Sequence, residues 1–166
     1  IQCRSLEADI AFLKQKQDNG ADYIMTQLCW DMDQFRYWLD AIRAAGITMP
    51  VDVGIMPILD QASTINMALS RNGCVMPRAL CEIISKNWIF PNPFSVGLKT
   101  AKGDEACFDA DVEGKKQSFK EAGIEYTINQ IDEYRACGVD GIHLYALNKY
   151  DDVARIAKEA GLLDLI

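Results

Sequence analysis

Apolar positions along this chain follow two periods. Phe35, Trp38, Leu39 and Ile42 recur at helical spacing, as do Ile124, Ile128 and Ile131, so each set predicts one buried stripe on an amphipathic helix. Asp31, with Gln34 three residues on, reads as a capping box opening the first of these helices. Four times a helical pattern ends at a glycine and an apolar run follows. Gly20 precedes Tyr23-Ile24-Met25-Thr26-Gln27, Gly46 precedes 51–57, Gly73 precedes Cys74-Val75-Met76, and Gly138 precedes 141–147. Each glycine suits the left-handed position that stops a helix. The runs carry apolar residues on both faces, as the strands of a helix-covered parallel sheet do. The fold class is therefore α/β, with Ile24, Val53, Ile55 and Ile142 expected on the inward side of the strands.

The interval between Gly73 and Gly138 is far longer than one strand–helix unit. Within it, 87–116 holds Pro91, Pro93, Gly97, Gly103 and Gly114 among mixed charges and reads as an inserted surface loop. Four units make either half of a (β/α)8 barrel, which needs about 250 residues, or an open sheet.

Composition narrows the function classes. With 49% hydrophobic residues among 166, the chain can bury a real core. No apolar run approaches the roughly 20 residues that cross a bilayer, so no membrane span is expected. The formal net charge of −7 argues against non-specific nucleic-acid binding. Ile1 in place of Met, and the polar residues behind it, suggest an interior start. The cysteines at 3, 29, 74, 81, 107 and 137 form no CxxC pair, and His143 stands alone, so zinc-ligand spacing is missing. Scattered cysteines in apolar runs fit reduced thiols and a cytoplasmic setting. His143, between aliphatic neighbours, reads as a packed core group.

Three blocks carry a resemblance. The first runs from Ser5-Leu6-Glu7-Ala8-Asp9 through Leu13-Lys14-Gln15-Lys16 to Gly20-Ala21-Asp22-Tyr23-Ile24-Met25-Thr26-Gln27-Leu28 and Asp31. The second joins Ala45-Gly46-Ile47 to Gly54-Ile55-Met56-Pro57 and Val75-Met76-Pro77. The third pairs Gly123-Ile124-Glu125 with Gly141-Ile142-His143-Leu144-Tyr145-Ala146-Leu147-Asn148-Lys149. In order and spacing the chain resembles the methylenetetrahydrofolate reductases over nearly its whole length, 87–116 apart. The resemblance implies a (β/α)8 TIM barrel of which this chain supplies the last four units. It also implies FAD as cofactor, NAD(P)H as co-substrate, and reduction of 5,10-methylenetetrahydrofolate to 5-methyltetrahydrofolate.

The resemblance also assigns residues. Asp9 and Lys16 match positions that hold the FAD ribose and phosphates, and an ammonium is a suitable point charge for a diphosphate. Gln27 falls on the family's Thr-Gln pair, where its amide would meet a pterin or nicotinamide edge. Tyr145 and Lys149 match the substrate mouth. Ala146 stands where the family usually has Thr, and Lys149 where it has an Arg that binds the folate glutamate; Lys149 keeps the charge without the bidentate fork. The family's substrate-facing Gln and aromatic ring fall on Ser63 and Met67 by spacing from Pro57. Its general acid and remaining FAD contacts belong to the preceding half, so no catalytic residue is expected in this chain. The expected partner is that missing N-terminal half of the barrel, with homo-oligomers expected from free sheet edges. The other arrangement is a half-barrel acting as a ligand-binding or accessory subunit beside another chain.

Overall fold

In the computed structural model, residues 5–70, 74–89 and 111–163 are described. Among these residues six helices and three strands follow in the order α1 (Leu6–Asp18), β1 (Ile24–Met25), α2 (Met32–Ala44), β2 (Val51–Ile55), α3 (Gln61–Leu69), α4 (Arg78–Lys86), α5 (Val112–Ala136), β3 (Gly141–Leu144) and α6 (Tyr150–Glu159). The strands form one parallel sheet, β1-β2-β3. The α/β class is as expected.

Local chemistry sets the element ends. The Asp31 carboxylate accepts from the N–H groups of Asp33 and Gln34, and Asp60 accepts from Ser63 N–H, so α2 and α3 start on side-chain caps. Helix α2 ends at Gly46, whose φ of 76° suits a residue without Cβ. Gly46 N–H donates to Arg43 O and Ile47 N–H to Ile42 O, both at 3.0 Å, which is the Schellman pattern; Ile42 and Ile47, fully buried, close it with an apolar contact.

The parallel register pairs Ile24 with Val51, Val53 with Ile142, and Ile55 with Leu144. These residues share one face, and they pack with Phe35, Leu39 and Ile42 of α2, Ile124, Ile131 and Tyr134 of α5, and Ile156 of α6. The core thus lies on the helix side of the sheet. That corrects the expectation for Ile24, Val53, Ile55 and Ile142: their side chains face the helices. Met25, Asp52, Gly54, Gly141 and His143 take the other face, because successive strand residues point to opposite sides. Met25 is half exposed and His143 exposed, so His143 is not a core group. A second cluster gathers Leu28, Trp30, Met56, Ile58, Leu80, Ile84 and Phe119 among α3, α4 and the first half of α5.

Two further expectations change. Cys74-Val75-Met76 is no strand; 74–77 lead directly into α4, and β3 occupies the place beside β2. The apolar character of Cys74 and Met76 is spent instead on the second cluster. The loop expected over 87–116 falls mostly outside the described residues, and its C-terminal end is already helix: α5 begins at Val112, with Asp111 capping Gly114 N–H. Gly73 also lies outside them.

Candidate functional site

A parallel sheet brings the carboxyl ends of its strands to one edge, where α/β proteins bind ligands. Here that edge carries Thr26-Gln27 after β1, Met56-Pro57 after β2 and Tyr145 after β3. Three of the residues singled out from the sequence meet beside β1. A cleft of ≈ 520 Å³ is walled by Asp9, Phe12, Leu13 and Lys16 of α1, by 24–29, and by Gln34, Phe35 and Trp38 of α2. That volume suits a small-molecule or cofactor site.

The α1 wall follows from helical spacing: positions 9, 12, 13 and 16 fall on one side of the helix. Its polar members are uncommitted, since among the described residues neither Asp9 nor Lys16 has an ion-pair partner, whereas Lys14 on the same helix bonds Asp18 at 2.7 Å. Gln27 uses its Oε1 to accept from Leu28 N–H at 3.1 Å, which leaves its Nε2 as a donor toward the cleft.

Helix α5 fixes the loop behind Gln27. Gln130 Nε2 donates to Cys29 O at 2.9 Å, the Tyr134 hydroxyl donates to the same oxygen, and the Tyr126 hydroxyl donates to Trp30 O at 3.3 Å. Burial, reinforced by nearby acidic groups, pushes the Tyr126 phenol up to about 12, and burial likewise raises Tyr134. Both remain protonated donors at neutral pH. Burial also raises the Cys29 thiol, which keeps it an inert wall of the cleft.

A second, smaller group forms past the ends of β2 and β3. Ser63 and Thr64 of α3, with Met56, Pro57, Leu59 and Asp60, face Tyr145, Ala146, Leu147 and Lys149 across a recess of ≈ 50 Å³. The Tyr145 hydroxyl lies over Gly54, where a Cβ would come within 2.9 Å of it and within 2.6 Å of Thr26 O. Its ring meets His143 edge-on, centroids 4.9 Å apart. Met67 is the one expected substrate residue that joins neither group: half-buried, it packs against the second apolar cluster. Asp9, Lys16 and Gln27 thus share one cleft, and Ser63, Tyr145 and Lys149 share the other.

Sequence reading missed Phe12, Gln34 and Trp38 in the larger cleft. The signal was present: Gln34 and Trp38 lie one turn apart on α2, and Phe12 falls between Asp9 and Lys16 on α1, where its 60% exposure marks an apolar side chain that no core needs.

Residues 1–88 match the family model for methylenetetrahydrofolate reductase. The chain belongs to this family. Methylenetetrahydrofolate reductase 1 of Schizosaccharomyces pombe is 31% identical over 159 residues, which cover 96% of this chain and 22% of that protein. The Arabidopsis thaliana methylenetetrahydrofolate reductase (NADH) 1 is 29% identical over 160 residues, covering 96% and 23%. A probable methylenetetrahydrofolate reductase (NADPH) of Caenorhabditis elegans is 27% identical over 164 residues, covering 99% and 21%. The chain therefore spans between a fifth and a quarter of the length of these reductases. Among its described residues, no helix is long and apolar enough to cross a membrane.

Proposed function

We propose that this chain is the C-terminal half of a (β/α)8 reductase domain that converts 5,10-methylenetetrahydrofolate to 5-methyltetrahydrofolate, with FAD as cofactor and NAD(P)H as co-substrate. The observation that carries the reading is the convergence of Asp9, Lys16 and Gln27 on one cleft at the carboxyl end of β1, in a chain of this family. The relatives named for NADH and NADPH support a nicotinamide as hydride source.

The donor set of the larger cleft fits the nucleotide end of a flavin. Lys16 is an uncommitted ammonium for a diphosphate, Asp9 an uncommitted carboxylate for ribose hydroxyls, and Phe12, Phe35 and Trp38 supply apolar and aromatic wall. When bound, the flavin supplies hydride transfer. The protein's own part is placement: Gln27 Nε2 donates to a ring edge, and Lys149 at the second recess attracts the anionic end of the folate. The general acid and remaining flavin contacts come from the preceding half of the barrel. An open sheet face with Met25, Asp52 and His143 on it fits that arrangement, because parallel sheets are covered on both sides.

The test uses the polypeptide that carries this chain in frame with the preceding barrel half. It should purify yellow and oxidise a reduced nicotinamide with a quinone acceptor. Lys16→Ala should lower flavin retention, whereas Gln27→Ala should impair folate turnover and keep the flavin. A colourless protein, inactive after added FAD, refutes the reading; equal flavin loss in both variants refutes the division of labour. A stop and a new start codon just upstream would favour a separate accessory half-barrel.

A further inference from the structure

Five residues, 145–149, join β3 to α6, and the chain must reverse within them. Tyr145 N–H still donates to Ile55 O at 3.0 Å, so the reversal is made by the last four alone. Lys149 N–H donates to Ala146 O at 2.8 Å, and the two residues between, Leu147 and Asn148, have φ of 43° and 63°. A hydrogen-bonded turn with both central residues left-handed has the type I′ pattern, which glycine, asparagine and aspartate dominate. Asn148 conforms. Leu147 does not, and at 70% exposure its side chain gains no burial in return.

The turn holds the residue at its exit. Lys149 N–H is engaged by the turn, and the Lys149 carbonyl accepts from Val153 N–H at 3.1 Å as the N-cap of α6. Its backbone is pinned on both sides, so the root of the ammonium stem at the recess of Ser63 and Tyr145 depends on the left-handed pair. Local strain held at a ligand-facing loop is commonly part of placement.

We propose that Leu147 and Asn148 are positioning residues: their left-handed turn sets Lys149 where its ammonium meets the carboxylate end of the substrate. This rests on the reading of Lys149 given above. A residue with a Cβ and no local hydrogen-bonding group resists left-handed φ, whereas glycine accepts it without strain. Asn148→Ala should therefore displace Lys149, and Asn148→Gly should restore it.

The experiment measures steady-state kinetics of the intact reductase polypeptide with 5,10-methylenetetrahydrofolate and with its pteroyl amide analogue, which ends in an uncharged carboxamide in place of the glutamate. Asn148→Ala should raise KM about tenfold for the folate, about 1.4 kcal/mol, with kcat within about twofold. Asn148→Gly should return KM to near the parent value. Neither variant should change KM for the amide. Thermal unfolding of each variant separates misfolding from misplacement, and Asn148→Gly keeps the test open if Asn148→Ala fails to fold. A raised KM in Lys149→Ala with no change in Asn148→Ala would overturn the positioning role alone. An unchanged KM in Lys149→Ala would overturn the assignment of Lys149 and the proposal with it. An equal penalty on both substrates would show a general structural defect and likewise overturn it.

Discussion

Replacing Gly123 by alanine should destabilise the protein, although alanine is the better helix former by about 1 kcal/mol. Gly123 lies buried in α5 against the backbone that follows β2, and a Cβ built on it would stand 2.0 Å from Ile58 O and 2.9 Å from the Ile58 carbonyl carbon and Cγ2. Ordinary carbon–oxygen contacts are about 3.3 Å or longer, so α5 or 56–58 must move by about 1.3 Å. Overpacking of this kind costs about 1–3 kcal/mol. The same motion breaks the bond from Ile58 N–H to Thr127 Oγ1, 3.1 Å long and buried, and an unsatisfied buried donor costs about 1–3 kcal/mol. After the helix-propensity gain, the net loss is about 3 kcal/mol. Guanidinium unfolding followed by circular dichroism would measure it as a lower midpoint at unchanged m. Gly114→Ala is the control: the atoms nearest its Cβ would be those of the Asp111 carboxylate, a cap that can turn away, and the loss of that cap offsets the gain in helix propensity, so stability should change by less than about 1 kcal/mol. A Gly123→Ala variant as stable as the parent would refute the close helix–backbone contact.

Two more outcomes can be measured. Gly54→Ala would press on Thr26 O and the Tyr145 hydroxyl; folate turnover should fall severalfold with the flavin retained, and unchanged turnover would exclude a role for that approach. The alkaline limb of stability should reflect Tyr126. An unfolded tyrosine ionises near 10, while the folded Tyr126 holds its proton to about 12. Its contribution is thus complete below about pH 10 and is lost as pH rises through 12. Absorbance titration at 295 nm should show Tyr126 keeping its proton to about 12 in the native protein; its ionisation near 10 before the fold is lost would contradict its burial.

Much of this architecture was legible in the order of residues. Helical spacing gave the buried stripe of α2, and Asp31 and Gly46 marked its ends, because caps and left-handed stops are local chemistry. Strand faces were not legible: Val51, Val53, Ile55 and also Gly54 and Met56 are buried, so no alternation reveals which side meets the helices. Cys74-Val75-Met76 carried strand-forming residues, but the ladder position beside β2 is taken by β3, a tertiary fact outside any local window. For the site, Asp9, Lys16 and Gln27 were found through the family pattern, and their meeting in one cleft bears on that choice without testing it. Met67 was placed by spacing from Pro57 alone, and spacing along a helix does not say that Met67 joins the second apolar cluster while Ser63 borders a recess. The left-handed φ of Leu147 had no warning in the sequence, since leucine is among the residues that least announce it.

Helix α5 has 25 residues, roughly 37 Å at 1.5 Å per residue, and it supplies Phe119 to one apolar cluster and Ile124, Ile131 and Tyr134 to the other. Neither cluster can dissolve without releasing a turn of the same rod. Opening of the α3–α4 corner is therefore linked to loss of the bonds that Gln130 and Tyr134 make to Cys29, whose neighbours Leu28 and Trp30 belong to the second cluster. Among the described residues the two clusters thus share one rod, and the Gln27 loop is tied to both in place of the fraying typical of a strand end.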